Sequence, residues 1–74
     1  MSKISEHVGG RIRTFRKQQG MTLQKLADKI HKSRASLSKY ENGEITLDIE
    51  TLYEISEALG VELNRLTDFQ SPKP

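Results

Sequence analysis

The chain has 74 residues, 34% of them hydrophobic, and a formal net charge of +2, enough for one small domain with a thin core. It has no cysteine, which excludes a disulfide framework and thiolate metal sites, and its two histidines, His7 and His31, are a poor basis for a metal centre. No apolar run approaches the ~20 residues of a membrane span, and the opening MSKISEHVGG lacks the apolar core of a signal peptide, so the expected location is the cytoplasm.

The charge is unevenly spread. Residues 1–40 hold ten Lys/Arg and two acids, giving +8, whereas residues 41–74 hold two Lys/Arg and eight acids, giving −6. A polyanion partner is therefore expected on the first half.

Residues 1–5 read as a flexible N-terminal arm. A first helix is predicted from Ser5 or Glu6 to Gln19, with Val8, Ile12 and Phe15 as its apolar stripe. Gly9 and Gly10 each weaken it by ~1 kcal/mol relative to Ala, and close approach of another backbone is one reason to keep them. Gly20 is a natural stop. Thr22 caps a second helix, in which Leu23, Leu26, Ala27 and Ile30 share one face at i, i+3, i+4, i+7. After the turn Ile30-His31-Lys32-Ser33, Ser33 caps a third helix (about 34–42) that ends at Asn42-Gly43. Only Leu37 and Tyr40 anchor that helix, which leaves Arg34, Ser36, Ser38 and Lys39 for solvent or a ligand. A helix that buries so little of itself is held up by its neighbours and displayed.

Glu44 to Leu47 form a loop. Asp48 caps a fourth helix whose buried stripe is Ile49, Leu52, Ile55 and Leu59, with Tyr53 beside it, and Gly60 ends it. A short fifth helix covers Glu62 to Thr67 with Leu63 and Leu66 inward. Residues 70–74 form a flexible tail, so the globular unit is residues 6–69. With no strand pattern and no repeat, the expected fold is all-α, a compact bundle of about five short helices.

The run GMTLQKLADKIHKSRASLSKYENG followed by LDIETLYEISEALGVEL resembles the lambda repressor/Cro-like helix-turn-helix family of the xenobiotic-response-element type. The resemblance covers roughly residues 8 to 67. Leu26-Ala27, Ser33 through Gly43, and Leu52 with Ala58-Leu59-Gly60-Val61 carry it together, in order and at matching spacings. It implies that the third helix enters the major groove of double-stranded DNA. Base-edge contacts then fall to Arg34, Ala35, Ser38 and Lys39. Arg34 suits guanine O6 and N7, and Ala35 can meet only a thymine methyl. Phosphate contacts fall to Ser33, Ser36, Asn42 and the Gly43 backbone, with the free amides at the start of the second helix. Lys25 and Lys32 are added to that set on charge. The resemblance also implies a structural ion pair between Arg16 and Glu41. Removing one partner of a buried pair costs about 3–5 kcal/mol.

Two departures stand out. The family's turn commonly has Gly-Val before the Ser, whereas this chain has His31-Lys32. A left-handed His31 would cost about 1–2 kcal/mol. The second helix often opens with Gln; here Leu23 follows the cap and Gln24 comes one place later.

The expected function is a sequence-specific DNA-binding transcriptional regulator acting as a dimer on a palindromic operator, with Val61, Leu63, Leu66 and Phe69 as the dimer contact. The alternative is an antitoxin or adaptor that works through protein binding at the acidic C-terminal half. No enzyme activity, cofactor or metal is expected. The serines lack an orienting base, and Gly9-Gly10 has neither the strand nor the Lys-Ser/Thr signature of a phosphate loop.

Overall fold

Three residues, Thr22, Ser33 and Asp48, start helices in the same way. Each side chain accepts from the amide three residues on, Lys25 N, Ser36 N and Thr51 N, at 3.0–3.1 Å. Each such cap contributes ~1 kcal/mol. The computed structural model describes residues 3–68, and its elements are α1 (Lys3–Gln18), α2 (Leu23–Lys29), α3 (Arg34–Glu41), α4 (Ile49–Leu59) and α5 (Leu63–Thr67). The fold is an all-α five-helix bundle, as the apolar spacing predicts. α1 begins at Lys3, earlier than expected, so residues 3–5 of the anticipated arm form its first turn.

α1 through α4 end alike. A residue with positive φ follows each helix: Gly20, His31, Gly43 and Gly60. The next amide turns back to a carbonyl five residues earlier, as in Lys32 N to Ala27 O at 2.9 Å and Glu44 N to Lys39 O at 2.9 Å. His31, at φ 58°, is the one non-glycine with positive φ among the described residues, so the departure seen in the sequence does put a side chain in the left-handed region.

Ile12, Leu26, Leu37, Ile55 and Leu66 are the largest fully buried side chains, at least one from each helix. Ala27 is also fully buried, and α2 packs on both α3 and α4. α3 packs on α1 and α2, whereas α4 packs on α1, α2 and α5. α1 thus runs through the whole assembly, and Gly9 sets how closely α3 can approach it. A Cβ at Gly9 would stand 2.2 Å from the Tyr40 carbonyl oxygen and 2.6 Å from that of Glu41. Only a residue with no side chain lets these backbones meet.

The fourth helix departs from expectation in its first turn. The apolar spacing puts Ile49 on the buried stripe, but it is 67% exposed. Leu47, just before the Asp48 cap, takes the inward place instead. It packs against the core and lines one cleft with Leu52, in the manner of a hydrophobic staple. Tyr53 is also outward, at 53% exposure. The short α5 has no side-chain cap from Glu62, so α1 holds it. Arg11 Nε donates to Arg65 O at 2.9 Å, His7 Nε2 lies 2.6 Å from Asp68 O, and the guanidinium groups of Arg11 and Arg65 lie 5.3 and 5.6 Å from the Phe15 ring centre.

Candidate nucleic-acid interface

α3 is eight residues long and has an inner and an outer side. Leu37, Tyr40 and Glu41 are buried; Arg34, Ala35 and Lys39 are exposed, and Ser36 and Ser38 are half-buried. The helix is short and its mean character polar, so its own propensity would not hold it in water. Its inner side fixes it.

The strongest fixture is Arg16. Its Nε donates to Glu41 Oε2 at 2.6 Å, Nη2 donates to Glu41 Oε1 at 3.0 Å, and Nη1 donates to Met21 O at 2.8 Å. Both side chains are over nine-tenths buried. A planar guanidinium meets a carboxylate two-pronged and still has a donor for the carbonyl that leads into α2. One side chain therefore ties α1, the entry to α2 and the end of α3. Among the described residues, no buried side-chain polar atom lacks a partner.

The outer side is unengaged. The side chains of Arg34 and Lys39 make no hydrogen bond or ion pair within the described chain. Lys25, also exposed, stands on α2 beside the capped start of that helix. The amides of Leu23 and Gln24 there have no backbone acceptor ahead of them. Lys32, in the turn, adds charge between α2 and α3, and its field helps to lower the Asp48 pKa. The main cause of that lowering is the Thr51 hydroxyl, which donates to Asp48 Oδ1 at 2.6 Å; the Thr51 amide adds to it.

The remaining expected contacts sort unevenly. Ser33 Oγ accepts from the Ser36 amide and donates to Ser36 Oγ at 3.0 Å, which leaves the Ser36 hydroxyl proton free to point outward. Asn42 Nδ2 donates to Glu44 Oε2 at 3.3 Å and keeps a second hydrogen. Gly43 does not fit the role expected of it. It is buried, its amide donates to Tyr40 O at 3.1 Å, and a Cβ there would stand 2.7 Å from Glu6 Cγ. Its place is the joint between α3 and the start of α1, and its N–H is closed to a phosphate. Gln24 is engaged with Asp28 Oδ1 at 2.8 Å. Lys29 was not singled out from the sequence, yet it borders the same surface depression as Thr22 and Lys25. Its spacing of four from Lys25 was the available signal.

The dimer set needs correction as well. Leu66 is fully buried in the monomer core and cannot meet a second copy. Val61 and Leu63 are part-buried against that core, and Phe69 lies outside the described residues. α5, which carries Leu66, packs against both α1 and α4.

Comparison with known proteins agrees with this geometry. The family described as Helix-turn-helix, HTH_3, matches residues 12–66. The chain belongs to this Cro/C1-type helix-turn-helix DNA-binding family. Its structure is similar to that of the clp gene regulator ClgR from C. glutamicum, with a TM-score of 0.84 and 30% identity over 89% of this chain and 86% of ClgR. It is also similar to the BldD DNA-binding domain of S. venezulae, with a TM-score of 0.80 and 25% identity over 89% of this chain and 99% of that one. The restriction-modification controller protein C.AhdI from Aeromonas hydrophila shares the fold, with a TM-score of 0.80 and 23% identity over 82% of this chain and 92% of that one. No curated protein matches the chain by sequence. Among the described residues of this HTH_3 domain, no helix is long and apolar enough to cross a membrane, and no cluster of His, Cys, Asp and Glu could hold a metal.

Proposed function

We propose that this HTH_3 domain is a sequence-specific DNA-binding transcriptional regulator that works in the cytoplasm by occupying an operator. The observation that carries the reading is the unengaged outer side of α3. Arg34 and Lys39 are exposed cations with no partner among the described residues, on a helix whose other side is locked by Leu37, Tyr40 and Glu41. A major groove about 12 Å wide admits one such helix. In this reading Arg34, Ala35, Ser38 and Lys39 face base edges. Ser33, Ser36, Asn42, Lys25 and Lys32 hold the backbone, which fixes register without reading sequence. The acids Glu44 and Asp48 beyond α3 temper non-specific attraction to DNA.

Two copies on a palindrome set their α3 helices one turn apart, about 34 Å. With Leu66 inside the core, the contact between copies centres on the α4–α5 corner around Val61, which is part-exposed. Occupancy then depends on concentration and pairing.

Selection from a random DNA pool, followed by gel shift at fixed salt, tests this. The expected result is a palindromic consensus and a salt dependence of several units. Retention of all sequences with equal affinity would remove the regulator reading and leave a general polyanion binder.

A further inference from the structure

We propose that the groove between the outer face of α4 and the start of α5 docks a basic segment of a protein partner, which inserts an apolar side chain among Ile49, Tyr53 and Leu63 while its lysines or arginines lie over Glu50 and Glu54. This goes beyond DNA binding and does not depend on it.

Ile49 and Tyr53 are 67% and 53% exposed, one helical turn apart. With Leu63 they line a depression of about 380 Å³ whose other walls are Glu50 and Glu54. That is room for a side chain or two. A single exposed apolar residue needs no explanation, but an adjacent pair around a hollow marks an interaction surface. The groove's lining holds two carboxylates and no cation. Among the described residues, no Lys or Arg comes within ion-pair distance of Glu50, Glu54 or Glu57. Lys29 and His31 border Glu54 and Glu57 only in the adjoining depression. A side-chain hydrogen bond to Glu57, helped by that carboxylate's charge, raises the Tyr53 pKa.

The charges choose the occupant. DNA is excluded from this face by its own sign. A second copy docked by the same face would set Glu50 and Glu54 against their counterparts, a costly juxtaposition of like charges. A cationic segment with one apolar anchor satisfies both the rim and the hollow. α4 packs on α1, α2 and α5, so such a partner leaves the outer side of α3 open.

The probe is a short synthetic peptide with lysines flanking one leucine, followed by amide chemical shifts of the whole chain. Two control peptides replace the lysines by glutamate or the leucine by serine. Shifts centred on Ile49, Tyr53 and Leu63, seen with the lysine–leucine peptide alone, support the proposal. Ile49→Ser and Tyr53→Ser should each weaken binding by about tenfold or more with duplex affinity unchanged. Glu50→Lys should admit the glutamate–leucine peptide and reject the lysine one. The proposal is overturned if the serine peptide binds as well, since attraction is then mere charge. It is also overturned if the Ile49 and Tyr53 resonances, on α4 and not at the corner around Val61, move with protein concentration alone, since the occupant is then a second copy.

Discussion

The two sides of α3 obey opposite rules. On the inner side the buried charge and the backbone are matched: Glu41 by Arg16, the Tyr40 carbonyl by the Gly43 amide, the close backbone of α1 by the absent side chain at Gly9. On the outer side Arg34 and Lys39 have no side-chain partner among the described residues. The difference teaches how so small a domain can present a rigid reader. The charges that hold the helix are buried and matched, and those offered to a ligand are exposed and unmatched. Disturbing the inner side should therefore cost stability, and disturbing the outer side should cost recognition alone.

The largest test strikes the inner side. Glu41→Ala leaves the Arg16 guanidinium buried without its carboxylate, and urea unfolding should show a loss of about 3–5 kcal/mol, a large part of what a domain this size has. The double replacement Arg16→Met with Glu41→Leu should recover most of it, because an apolar pair of similar volume avoids the desolvation of two charges. A loss below about 1 kcal/mol for Glu41→Ala would mean that the pair is not what positions α3.

Two adjacent glycines sharpen the contrast. Gly9→Ala drives a methyl into the Tyr40 and Glu41 carbonyls and should destabilise by about 1–3 kcal/mol. At Gly10 nothing stands within 4 Å of a new Cβ. Gly10→Ala, in the same helix, should instead stabilise by ~1 kcal/mol through propensity. Equal effects in thermal unfolding would deny that Gly9 sets the α1–α3 distance.

The outer side is tested by Arg34→Ala. Its melting temperature should match that of the parent, while binding to the selected operator weakens by about 1–3 kcal/mol and preference relaxes at one base position. An even loss across all sequences would reassign Arg34 to the phosphate backbone.

Much of this was legible in the residues. The i, i+3, i+4 spacing of Leu23, Leu26, Ala27 and Ile30 locates α2, and the caps Thr22, Ser33 and Asp48 locate three helix starts. The unanchored outer side of α3 follows from having only Leu37 and Tyr40 at core spacing. What failed was information that only tertiary packing carries. Periodicity places Ile49 in the core, but Ile49 is exposed and Leu47, ahead of the cap, packs against the core instead. Leu66 is expected both inward on α5 and at a contact between copies, and its full burial, with α5 packed on α1 and α4, leaves only the inward place. The contacts of Arg11 with the Arg65 carbonyl and of His7 with the Asp68 carbonyl span more than fifty residues and leave no spacing to read.

His31 gives a smaller effect that belongs to neither side of α3. It holds φ 58° in the turn that launches the helix, where the family commonly has glycine. His31→Gly removes about 1–2 kcal/mol of left-handed cost, less what glycine adds to the freedom of the unfolded chain, so a net gain of about 1 kcal/mol is expected. Operator affinity should hold, since His31 is exposed and outside the reading set. A fall in affinity without a change in stability would draw the turn into the interface.

The smallest effect is a pH dependence at the far end of the α3–α4 loop. Hydrogen bonds from the Thr51 hydroxyl and amide hold the Asp48 carboxyl below its ordinary 3.8. A carboxylate with a depressed folded value favours the folded state wherever it is ionised. Its contribution is therefore complete above the unfolded pKa and drains away as pH falls through the folded one. Asp48→Asn should flatten the acid limb of the stability curve in the window below about pH 4, and leave its neutral plateau slightly lowered. Because Asp48 is solvent-exposed and Lys32 contributes to the shift through its field, added salt should trim the difference without abolishing it. An acid limb identical in Asp48→Asn and parent would mean that the capping carboxylate does not set the acid sensitivity of the domain.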